Sequence, residues 1–164
     1  MAEVLSPEQL KALVASAEQS KVEDGEDLWR CFYAALIPEY KRLSRVPTPS
    51  FTDPEHRISV DRANIKLDPE LVKMAPEDGV LCLPASTARM HRDTHKVEDK
   101  PPELPYQAVV VENKLPNNDA HALIYMEPHK CPKAVFRRLQ VHLAREAQWL
   151  LRFTELEPDA SRAS

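Results

Sequence analysis

The sequence predicts an α+β fold, with helices at both ends, a small antiparallel hairpin in the second half and a long proline-rich irregular middle. Three observations carry that prediction. Apolar residues recur at helical spacing in residues 27–43 and again after Pro132. Twelve of the 15 prolines fall in residues 46–132. Two runs rich in β-branched or aromatic residues, 106–111 and 122–126, flank the turn-forming cluster Pro116-Asn117-Asn118-Asp119.

Taken in order, residues 5–20 read as a first helix. Ser6 caps it, Pro7 takes its first turn and Gln9 completes a capping box. Leu10, Leu13, Val14 and Ala17 make a narrow apolar stripe. Residues 27–43 hold the densest apolar run and read as a central helix. Leu28, Phe32, Ala35 and Leu36 share one face, and Trp29, Tyr33, Ile37 and Tyr40 share its neighbour. Asp24 caps the start, Glu26 and Asp27 favour the positive end of the dipole, and Lys41, Arg42 and Arg45 favour the other. Pro38 interrupts the pattern, at about 3 kcal/mol in a helix interior. It either kinks the helix or opens a second one, and the pattern's continuation to Leu43 favours the kink.

The middle is broken by proline. Asp68-Pro69-Glu70 starts a short helix through Met74, Ser86 caps a turn through Met90, and residues 80–83 suit a short strand. Residues 91–105 read as an extended connector or mobile loop. The runs at 106–111 and 122–126 form the hairpin. A last helix spans 133–155, with Val135, Phe136, Leu139, Leu143, Ala147, Leu150 and Leu151 in one stripe. Trp149 and Phe153 lie beside that stripe as core residues. The divisions are a helical segment at 1–46, a proline-rich segment at 47–105, and hairpin plus helix at 106–156, together one structural unit.

Composition narrows the functional classes. A net charge of −4 argues against a general nucleic-acid binder. The longest apolar run, residues 31–37, is too short to span a bilayer. Three scattered cysteines without a CxxC pair suit an intracellular, reducing compartment; a start without a basic stretch and apolar core predicts no secretory signal, and its acidity predicts no uncleaved mitochondrial presequence. A mitochondrial setting is compatible with this reading. There are 2 glycines, where average usage would give about eleven. A chain with so few has no glycine-rich loop for a nucleotide, and no cofactor is expected.

Candidate chemistry is sparse. His91 and His95 are four apart, which on one helical turn would face a metal together with His129 or Cys131. An exposed polar loop explains them better. Cys131, with Lys130 and His129 beside it, sits where a helix N-terminus lowers a thiol pKa. A small residue ahead of Pro132 explains it better, so neither a metal site nor a catalytic residue is assigned. Arg137, Arg138 and Arg145 suit an acidic protein surface more than phosphate. Residues 133–152 carry net +4 and residues 1–30 net −4. Trp29, Tyr33 and Tyr40 exceed what one helix buries against its own chain, and so become interface anchors. The leading expectation is a non-catalytic accessory subunit docking onto other protein subunits by its helices and a proline-rich strap. A free-standing binding module, using the hairpin edge or the Trp29 face, comes next, and a small metal- or thiol-dependent enzyme last.

Overall fold

A computed structural model describes residues 6, 7, 21–97, 100–128 and 130–154. The helix expected over 5–20 lies outside them, apart from its first two positions. Seven strands dominate: β1 (Asp27–Phe32), β2 (Ile58–Arg62), β3 (Gly79–Pro84), β4 (Arg92–Val97), β5 (Lys100–Glu112), β6 (His121–Glu127) and β7 (Gln148–Leu151). They form one sheet in the order β4-β5-β6-β2-β1-β3-β7, antiparallel at every pairing. It is accompanied by the helices α1 (Ile37–Leu43), α2 (Ala63–Lys66), α3 (Ala85–Arg89) and α4 (Lys133–Glu146).

This overturns the expected α+β arrangement, most plainly at residues 27–43. Residues 27–32 are a strand near the sheet's centre, between β2 and β3. Leu28 and Phe32 enter the large core, while Trp29 and Cys31 join Val72 and Val80 on the opposite face. A strand buried on both faces carries a continuous apolar run, which periodicity alone does not separate from a buried helix. Pro38 does not kink a helix. It occupies the first turn of α1, where its missing N–H is no loss.

The proline-rich middle is not an irregular strap either, for it supplies β2, β3, β4 and the start of β5. Pro84 ends β3. Pro101, Pro102 and Pro105 lie in the first part of β5, whose pairing with β6 begins only at Gln107. That part pairs with β4 alone, so one side of its ladder has no donor to lose.

The last helix is also shorter than expected. Ala147 turns extended at φ −66° and ψ 142°, and the chain returns as β7. Val135, Phe136, Leu139 and Leu143 of α4, with Ala85 and Ala88 of α3, cover one sheet face. At its β7 end Phe32, Tyr40, Trp149 and Phe153 pack ring against ring at centroid distances of 4.9 to 6.2 Å.

Buried arginines complete the frame. Arg62 is 7% exposed. Its Nε and Nη2 donate to both oxygens of Glu26 at 2.7 Å, Nη1 donates to Glu112 at 2.7 Å, and Nη2 donates to the Lys21 carbonyl at 2.9 Å. Arg30 donates to the Ser50, Thr52 and Ser59 carbonyls and to Asp53. Each charge is satisfied where it is buried, as a low-dielectric interior requires.

Candidate functional site

On the sheet face opposite α4, the chain between β2 and β3 crosses over Trp29 and Cys31. It is pinned from beneath. Val72, 7% exposed, packs into the small core with Trp29, Cys31 and Val80. Asp78, 3% exposed, accepts hydrogen bonds from the backbone N–H groups of Ala34 (2.9 Å), Met74 (3.1 Å) and Ala75 (2.9 Å). Asp68 caps the 3-10 turn Pro69–Val72 through the Glu70 N–H.

The outer side of this pinned segment is apolar. Leu67 is 76% exposed, Leu71 64% and Met74 75%. Ile65 and Tyr33 are partly open as well, and Tyr33 and Met74 share a recess of about 160 Å³ with Trp29. Leu67 also stands at φ 64°, following α2, its N–H bonded to the Ala63 carbonyl at 3.1 Å. Glycine or asparagine relaxes that backbone region and a leucine strains it. Charges at the rim are matched within the chain, Lys66 with Asp61 at 3.8 Å and Lys73 with Glu70 at 3.0 Å.

The interface anchors drawn from the sequence fare differently. Trp29 is buried beneath the segment, Tyr33 stands at the edge of its ridge, and Tyr40 belongs to the aromatic cluster on the other face with Arg152 over its ring at 5.5 Å. Arg137, Arg138 and Arg145 do not form one cradle. Arg138 pairs with Asp93 at 2.5 Å, Arg145 with Glu146 at 3.2 Å, and Arg137 lines a cleft with His56 and Lys133.

His91 precedes β4 and His95 lies within it, so they do not share a helical turn. His91 stacks on His142 of α4 with ring centroids 5.0 Å apart. Burial first, then the neighbouring His142, lowers its pKa. Among the described residues, no group of three or more His, Cys, Asp or Glu side chains is arranged to hold a metal ion. His129 lies outside them. The Cys131 thiol is pushed up to about 11 by burial and then by Asp93, the reverse of the lowered value a nucleophile needs. Among the described residues no helix is long and apolar enough to cross a membrane. Compared with protein families, curated proteins and solved structures, the chain matches none.

The sequence reading missed Leu67, Leu71 and Met74. The available signal was Leu67 itself, a leucine directly before the Asp68-Pro69 helix start, where a preceding helix must end.

Proposed function

We propose that this protein is a non-catalytic docking subunit, which binds another protein through the ridge of Leu67, Leu71 and Met74. The observation that carries the reading is Leu67, an apolar side chain held in strained backbone yet left open to water. The positive φ closes α2, but the side chain packs into neither core cluster, and local strain of this kind also collects at functional sites. The matched rim charges favour recognition by apolar shape, as in permanent subunit contacts. The strap is no part of this proposal, because its residues build the sheet.

Leu67→Gly supplies the test. Glycine relaxes the left-handed backbone, so the variant melts no lower than the parent. It nevertheless recovers far less partner when the tagged chain is purified from its native cells, as does Leu71→Ser/Met74→Ser. Equal recovery by all forms refutes the docking role. Concentration-dependent self-association of the pure chain, lost in Leu67→Gly, replaces the separate partner with a second copy.

A further inference from the structure

The neighbouring ends of β4, β5 and β6 carry a groove with different chemistry. Two cavities of about 430 and 600 Å³ meet there, and Glu127 is the residue that lines both. Glu127 ends β6, in register with Gln107 of β5, which pairs in turn with Arg92 of β4. Cross-strand partners share a face, so these three side chains form a row, with Arg92 roughly 10 Å from Glu127 at the backbone. On the opposite flank the Arg57 guanidinium lies 4.9 Å over the Tyr125 ring. Lys130 closes that end.

Glu127 Oε2 is buried, and among the described residues no hydrogen-bond donor reaches it. Such a group is costly to bury unless a donor reaches it. The two linings also carry two further acids, Glu55 and the Arg138-paired Asp93, and three cations, Arg57, Arg92 and Lys130, none held in an ion pair among the described residues. A simple cation would satisfy Glu127 but meet repulsion from them. A simple anion would suit the cations and leave Glu127 unsatisfied. A ligand carrying both charges suits the whole set. The 430 Å³ cavity is within the range for small-molecule sites.

We propose that this groove binds an amino-acid-type zwitterion, its ammonium donating to the Glu127 carboxylate and its carboxylate accepting from Arg57. The same chemistry is offered by a free amino acid and by a short peptide with both ends open. Only the peptide needs the second cavity. Binding here is independent of the apolar ridge.

Backbone amide shifts of the full chain are followed while free L-amino acids, their N-acetyl and carboxamide derivatives, and trialanine are added. Saturable shifts at residues 55–57 and 125–131 are expected, with a dissociation constant below about 1 mM. Blocking either ligand end is expected to weaken binding at least about ten-fold, as are Glu127→Gln and Arg57→Gln. Saturation by free amino acids assigns the smaller ligand, and saturation by trialanine alone assigns a peptide. The inference is overturned if nothing saturates, if N-acetyl forms bind as tightly as free ones, or if a correctly folded Glu127→Gln binds like the parent.

Discussion

Arg62→Met is the sharpest perturbation of the frame. Arg62 holds two carboxylates at once, Glu26 at 5% exposure and Glu112 close by, through three contacts of 2.7 Å. Methionine fills much of the arginine stem's volume but donates nothing, so two carboxylates lose their cation, and Glu26 keeps the Glu23 N–H at 3.2 Å as a donor. Breaking a buried pair from one side costs about 3–5 kcal/mol, a large share of the 5–15 kcal/mol that holds a typical domain together. The assay is urea unfolding at pH 7, repeated down to pH 4. The Arg62 hydrogen bonds hold the Glu26 carboxyl below its ordinary 4.5. Its contribution is therefore present above that value and lost as pH falls through the lower, folded one. In the variant, burial acts on Glu26 without its cation, and acid then favours the fold by protonating the carboxylate. The stability gap between parent and variant should narrow towards pH 4. Triple replacement of Arg62, Glu26 and Glu112 by apolar residues should recover most of the loss. A loss below about 1 kcal/mol for Arg62→Met, or a gap that widens in acid, refutes the reasoning.

Three further outcomes follow from other contacts. A Cβ on Gly79 would meet Trp149 Cζ3 at 2.8 Å and the backbone of Leu151 and Phe153 at 3.0 Å, so Gly79→Ala should destabilise by about 1–3 kcal/mol in chemical unfolding. His91, faced by His142, Asp93, Arg138 and Arg145, has a lowered folded pKa. The unfolded chain therefore binds the proton first, and stability should start falling as pH drops through about 6.5, a slope that His91→Gln reduces in pH-dependent melting. Cys31, Cys82 and Cys131 are each pushed up to about 11, chiefly by burial. Iodoacetamide at pH 7.5 should leave the native thiols largely unlabelled and label them in urea; fast native labelling of Cys131 would return it to nucleophilic chemistry.

What the sequence disclosed depended on how far each signal reached along the chain. The β5–β6 hairpin and the start of α4 were legible, because a turn cluster and an opening proline act within a few residues. The strand at 27–32 was not. Its sequence DLWRCF has no β-branched residue, and its propensity gives way to burial on both faces. The prolines misled for a geometric reason: a proline is excluded from a ladder only on the side where its N–H is needed, and 100–105 has a neighbour on one side alone. The link from Arg62 to Glu26 spans 36 residues and leaves no local trace. Apolar patterning likewise names greasy residues without saying which remain uncovered, and so Trp29 was expected at a surface that Leu67 occupies.

Both proposed surfaces arise from one asymmetry of the sheet. Helices α4 and α3 cover one face, whereas among the described residues the other is crossed by the 63–78 segment over β1 and β3. Over β6, β5 and β4 that second face carries Tyr125, Glu127, Gln107 and Arg92 instead. The 63–78 segment displays leucines outward, while the β4 end of the face displays charges and Val109 and Val111 of β5 lie buried beside them. A single recognition surface would need the two halves to respond together. Separate ones predict a double dissociation: Leu67→Gly loses partner while Glu127 still takes its ligand, and Glu127→Gln loses ligand while the ridge still docks. If each variant abolishes both activities with the fold intact, the halves form one surface and the ligand belongs to the partner contact.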